Sequence, residues 1–337
     1  MIPTLALLLL QAPNAESLSE QALAAAQQNR PEEAERLWRQ AIALAPSLHS
    51  ANFNLGYFYF SRNDAVRATP LFDAAARSRP DDFNTRYMAG AALSQLNQTD
   101  AALRHWRAAL ALRPDHAKLL QLLAVEYSKG RYYRDAATTA ERALALQPSD
   151  PNLHILAVKA RQDAQDHPAA LALAERFLSR FPENPRAHFE LAYELHCAGR
   201  PIEGLPYLER AMEAGEPWEE PFYFYGELLV QQSRPAEAVA PLRRAIEIRR
   251  DYIAAWVMLA RALMAQQKFD EAKAELLRAV EINPRHPQPH LLLSQIYFRV
   301  GNEAAAAQEK ELSLRLRRED PGALESLPSR AFPHSPK

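Results

Sequence analysis

Stepping along the chain from Ala34 in increments of 34 residues lands on Ala68, Ala102, Ala136, Ala170, Gly204, Ala238, Ala272 and Ala306. A second series lies seven residues later: Ala41, Ala75, Ala109, Ala143, Phe177, Ala211, Ala245, Ala279 and Ser313. A third lies twelve residues earlier: Ala22, Gly56, Gly90, Ala124, Val158, Ala192, Gly226, Ala260 and Ser294. Three small-residue series held in one phase without insertion describe a single supersecondary unit repeated, each copy burying its apolar face against the next. Twelve residues after the first series come Pro46, Pro80, Pro114, Pro148, Pro182 and Pro284. Proline there lacks an N–H for the preceding turn and pushes the residue before it out of the α region, so it closes a helix. Only 9 glycines among 337 residues, against 25 scattered prolines, fit many helices ended by punctuation.

A unit of 34 residues with small side chains at its 8th, 20th and 27th places, proline at its 32nd and a bulky residue at its 24th (Trp38, Phe72, Trp106, Leu208, Leu242, Leu276) resembles the tetratricopeptide repeat. The resemblance covers nine units beginning near residues 15, 49, 83, 117, 151, 185, 219, 253 and 287. It implies an all-α solenoid over residues 16–320, a right-handed superhelix of helix-turn-helix pairs whose inner wall is the first helix of each pair. The family's function, by the same resemblance, is protein–protein interaction, a peptide or partner segment lying in the concave groove. The spacing makes physical sense, because small residues at the 8th and 20th places let two helices approach while the 24th fills the space beside them. In the fifth unit the sizes are exchanged between Ala174 and Phe177; the sixth and seventh units carry Glu216 and Arg250 in place of proline. An irregular junction is expected near 214–221.

The stretch NFNLGYFYF, Asn52 to Phe60, reads as a buried strand by β-propensity alone. Its phase makes it the first helix of the second unit. Asn52, Leu55, Gly56 and Tyr59 then hold the inter-helix places, and Phe53, Asn54, Tyr57 and Phe60 face the inner wall. At the start of the array SLSE, Ser17 to Glu20, has capping-box spacing, so the first helix is expected to begin near Leu18. At its end Lys310 and Arg318 replace apolar residues or proline, a polar cap consistent with a monomer. Residues 1–15, MIPTLALLLLQAPNA, are apolar but too short to span a membrane and end in small residues. They read as a candidate signal peptide without the usual basic start, giving an expectation of export to a periplasmic or secreted location, with a cytoplasmic location as the alternative. Residues 321–337 hold four prolines and read as a disordered tail.

A formal charge of −1, from 40 basic and 41 acidic residues, gives no bulk attraction to nucleic acid or anionic lipid. The lone Cys197 can form no internal disulfide. No nucleophile elbow, glycine-rich phosphate loop or metal-ligand spacing occurs, so no enzyme activity, cofactor or metal is expected. His154, His188 and His290 share the 4th place of their units with Trp256 and Phe222, which points to packing, and prolines interrupt the His286–His290 pair. The competing reading, an accessory or degenerate enzyme, would use His188, Glu190 and His196.

The family's carboxylate clamp maps onto Ser19, Leu23, Asn54, Asn84 and Met88, and only Asn54 fits. The inner wall carries two aromatic zones instead: Phe53, Tyr57, Phe60, Tyr87 and Met88, then Phe189, Tyr193, Tyr223 and Phe224. With Asn54, Asn84, Lys118, Lys159 and Glu227 these form the candidate peptide-binding groove. Lys129 and Arg186, then Glu190 and Glu220, would make it pass from basic to acidic.

Overall fold

The computed structural model describes residues 14–213 and 218–320, and among them every regular element is an α-helix. They form two compact bodies that divide between Leu173 and Ala174. The first holds α1 (Ala15–Gln27), α2 (Pro31–Leu44), α3 (His49–Phe60), α4 (Ala65–Ser78), α5 (Phe83–Gln95), α6 (Thr99–Leu112), α7 (Ala117–Lys129), α8 (Tyr133–Leu146) and α9 (Pro151–Asp163). The division falls within α10 (His167–Arg180). The second body holds α11 (Pro185–Cys197), α12 (Pro201–Met212), α13 (Glu219–Gln231), α14 (Pro235–Ile248), α15 (Ile253–Ala265), α16 (Phe269–Ile282), α17 (Pro287–Arg299) and α18 (Glu303–Glu319). Within each body an odd-numbered helix packs on the even one after it, and that one on the next odd helix. Neighbouring odd helices also touch, as α1 does α3 and α13 does α15. The arrangement is an all-α solenoid.

The small and bulky places meet across each helix pair. A Cβ added to Gly56 would lie 3.0 Å from the Phe72 ring, and one on Gly226 would lie 2.5 Å from Leu242 Cγ. At Gly90 it would lie 2.5 Å from Trp106 Nε1, whose N–H is held by the Tyr87 carbonyl at 2.9 Å. A Cβ on Gly204 would meet the Ala192 carbonyl oxygen at 3.0 Å, so the 20th place sets the closest backbone approach. Phe177 and Ala174, the exchanged pair, are both fully buried.

A fourth series appears in the backbone. The residue between the helices of each pair has positive φ: Asn29, Asn63, Asn97, Arg131, Gln165, Gly199, Ser233, Gln267 and Gly301, each 34 from the last. The residue after it donates its N–H five residues back, as Arg30 does to Ala25 at 2.9 Å and Arg200 to Leu195 at 2.8 Å. This Schellman closure satisfies carbonyls that the helix end would otherwise leave unpaired. Gly199 has φ of +75° and open space around it. Gly199→Ala is therefore expected to cost about 1 kcal/mol through backbone strain alone, read as a lower urea midpoint.

The first helix begins at Ala15, three residues earlier than the SLSE motif suggests, because Asn14 Oδ1 accepts the Ser17 N–H at 2.8 Å and caps it. Ser17 Oγ instead accepts from Gln21 Nε2. The helix stop does not depend on proline: α14 ends at Ile248 with Arg249 and Arg250 following, the register seen at the proline-bearing ends of α2 and α16. Lys310 and Arg318 are exposed on α18, whose buried residues are Ala306, Ser313 and Leu316. The candidate signal segment up to residue 13, residues 214–217 of the expected irregular junction, and the tail at 321–337 lie outside the described residues. No described helix is long and apolar enough to cross a membrane.

Candidate functional site

In α3 Ala51, Asn52, Leu55, Gly56 and Tyr59 are buried as the period requires, while of the expected inner-wall residues Tyr57 is exposed and Phe53 and Phe60 are half-buried against Phe72 of α4. Phe58, which the pattern left unplaced, is buried edge-on against Trp38 at 5.7 Å. Phe53 and Tyr57 from α3 and Asn84, Tyr87 and Met88 from α5 line one concavity of about 460 Å³. Phe83, Arg113 and His116 complete it. On the other side of Tyr57 lies a second concavity of about 300 Å³, whose wall includes Leu23, Trp38, Asn54, Phe58 and Arg62. Tyr57 is 53% exposed and belongs to both, a ridge between two apolar hollows. Phe60 stands against Phe72 at 6.4 Å, and Lys118 is exposed, its Nζ donating to Gln121.

The polar groups of these walls are fixed by local geometry. His116 Nδ1 accepts the Leu119 N–H at 3.1 Å as the cap of α7, so in the neutral ring the proton sits on Nε2. Its ring lies 5.0 Å from Phe83 and 6.0 Å from Tyr87. The Arg113 guanidinium sits 4.1 Å over Phe83, and that of Arg62 3.7 Å over Phe58. Burial raises the Tyr87 phenol above its ordinary value, keeping it neutral at physiological pH. Trp38 differs from Trp106 because Ala22 replaces Gly90 in the facing helix. A Cβ there excludes the indole from the Trp106 position, and the Trp38 N–H is buried without an acceptor.

The second zone is not a mirror of the first. Phe189 and Tyr223, expected on the inner wall, are 0% and 3% exposed. The last residue of each repeat explains why: Trp218 packs edge-on over Phe189 at 5.9 Å and Tyr252 covers Tyr223 at 5.1 Å. The equivalent residue beside Phe53 is Asp82, which turns to Thr85 and leaves the ring half-exposed. Tyr193 and Phe224 form a T-shaped pair at 5.4 Å, both half-buried. Glu227 is half-buried, and burial raises its carboxyl while Arg261 and the Tyr223 hydroxyl oppose that. Lys159 is 7% exposed and Glu190 1%, so neither offers its charge to a groove. Lys129 pairs with Glu126 at 3.1 Å and Arg186 with Glu220 at 3.5 Å, which removes the expected basic-to-acidic gradient. The clamp position Ser19 is buried and bonded to Ser50.

His188 of the competing catalytic reading holds a structural post. His188 Nε2 meets the Pro182 carbonyl at 2.7 Å, as His154 meets Pro148 and His290 meets Pro284, each at 3.0 Å. Asn52 and Trp256 donate to the equivalent carbonyls of Pro46 and Arg250. In six of the nine repeats, Arg86 included, the 4th place thus carries a donor that ties the repeat to the turn before it. His286 Nδ1 accepts the Gln288 N–H as the cap of α17, and His290 Nδ1 faces Glu309, so the two rings do not converge. Burial lowers the His196 pKa.

Sequence models of the tetratricopeptide repeat match residues 19–83, 84–108, 155–217 and 229–296, together well over half of the chain. No curated protein matches the sequence significantly. Among solved structures, PilW, a widely conserved type IV pilus biogenesis factor, aligns with a TM-score of 0.54 at 22% identity, over 61% of this chain and 94% of its own. YrrB, described as a tetratricopeptide repeat protein with an unusual peptide-binding site, aligns at 0.46 and 20% identity, over 56% of this chain and 97% of its own. A tetratricopeptide repeat protein from Parabacteroides merdae aligns at 0.47 and 14% identity, over 74% and 98%.

Proposed function

The chain belongs to the tetratricopeptide repeat family, and on that premise we propose that it is a non-catalytic scaffold holding a peptide or partner segment in the groove around Tyr57. One observation carries this reading. Tyr57 stands half-exposed between two apolar hollows, whereas in the second zone Trp218 and Tyr252 seal Phe189 and Tyr223, and Tyr193, at the place of Tyr57, is half-buried against Phe224. Large aromatics with two rotors bury much area at low entropic cost, and truncating such anchors costs about 2 kcal/mol or more of binding energy. The competing catalytic reading gains nothing here, since His188 is committed to a backbone carbonyl.

Tyr57→Ala combined with Tyr87→Ala is expected to abolish capture of the protein partner that the intact chain retains, with the far-UV circular dichroism unchanged. Retention of the same partner at undiminished affinity would place the binding surface elsewhere, with Tyr193 and Phe224 the next residues to truncate.

A further inference from the structure

We propose that the occupant of this groove is acidic: a peptide segment whose apolar side chains seat on either side of Tyr57 and whose carboxylates meet Arg62 and Arg113. The inference rests on the groove being the binding surface and adds the chemistry of what it binds.

No carboxylate lines either hollow, and the guanidiniums present are Arg62 and Arg113. Neither is paired with an acidic side chain among the described residues. Each is laid instead over an aromatic face, Phe58 or Phe83, which holds its plane and leaves N–H edges for a partner. Arg62 Nη1 makes one further bond, to the Phe58 carbonyl at 3.2 Å. His116 Nε2–H adds a donor by its tautomer, and the side-chain amides of Asn54 and Asn84 can each donate as well. A wall equipped with donors and unpaired guanidiniums matches an acceptor-rich, negatively charged ligand, and a bidentate carboxylate is the group their geometry fits.

The second aromatic zone gives the internal contrast. There Arg186 is paired with Glu220 at 3.5 Å and Arg249 with Glu219 at 2.5 Å, so its cations are neutralised within the body. The net charge of the whole chain is only −1, which means that a preference for acidic ligands would be a local property of this groove.

The test is selection of random short peptides displayed on phage against the immobilised full chain, followed by fluorescence anisotropy of the enriched peptides. Enriched sequences are expected to combine Asp or Glu with large apolar residues. Replacing their carboxylates by amides should weaken binding about tenfold, and Arg62→Glu with Arg113→Glu should do the same while leaving the circular dichroism spectrum intact. Enrichment of neutral or basic sequences that still depend on Tyr57 would overturn the acidic assignment and leave the groove standing. Acidic sequences that bind Tyr57→Ala as well as the intact chain would overturn the groove as the binding surface, and this assignment with it. Equal binding of the acidic and amide peptides also overturns the assignment, and so does a selection that enriches nothing, which counts against both readings.

Discussion

Gly90→Ala is expected to destabilise the chain by about 2 kcal/mol, although alanine is the better helix former by about 1 kcal/mol. The added Cβ would stand 2.5 Å from Trp106 Nε1, and that indole cannot swing away without breaking its bond to the Tyr87 carbonyl. Overpacking of this severity belongs at the upper end of the usual range, about 3 kcal/mol, and the helix gain offsets part of it. The neighbouring case calibrates the argument: at Gly56 the nearest Phe72 atom would be 3.0 Å away, so Gly56→Ala should cost much less. Two repeats that carry alanine at this place have leucine opposite, Ala192 with Leu208 and Ala260 with Leu276. Gly90→Ala combined with Trp106→Leu should therefore be less destabilising than the sum of the single changes by roughly 1–2 kcal/mol. Urea unfolding of the four proteins of this cycle measures it, and strict additivity would mean that the two places do not pack against each other.

Deleting residues 83–116 is expected to leave a folded, shorter solenoid that has lost partner binding. The deletion removes one whole helix pair and brings the repeat at 117 into register behind α4, and stability in such arrays is close to a sum over neighbours. It also removes Phe83, Asn84, Tyr87, Met88, Arg113 and His116, most of one wall of the groove. Deleting residues 253–286 removes a repeat of equal length from the second body and should leave binding in place. Circular dichroism and partner capture, measured on both proteins, separate the roles. An unfolded product in either case would contradict the additive repeat, and binding by the first would contradict the groove.

Much of the fold was legible in the sequence because packing repeats as residue size. Ala or Gly at the 8th place faces Trp, Phe or Leu at the 24th in six of the nine copies, and size survives there as a pattern. The backbone series at the left-handed turn was not legible, because Arg131, Gln165, Ser233 and Gln267 share a conformation with Asn29 and Gly199 but no side-chain property. The 4th place was half legible: Asn52, His188 and Trp256 look unrelated until each is seen to donate to a carbonyl six residues back.

The site was legible only where nothing covered it. Phe53 and Phe189 occupy the same place, and what separates them is the last residue of the repeat, Asp82 in one and Trp218 in the other. Reading the inner face of each first helix alone misses that residue, and for the same reason it missed Arg113 and His116, which enter the groove from the turn between α6 and α7.

The central claim is that a partner segment lies along α3 and α5. Hydrogen–deuterium exchange of the full chain with and without its captured partner tests it most directly, because bound backbone at a groove is slowed where the partner excludes water. The expected result is protection confined to α3 with Ser61 and Arg62, α5, the end of α1 and the turn after it, and the turn at residues 113–116, with α11 and α13 unchanged. Protection of α11 and α13 instead, with α3 and α5 exchanging as in the free chain, would contradict it.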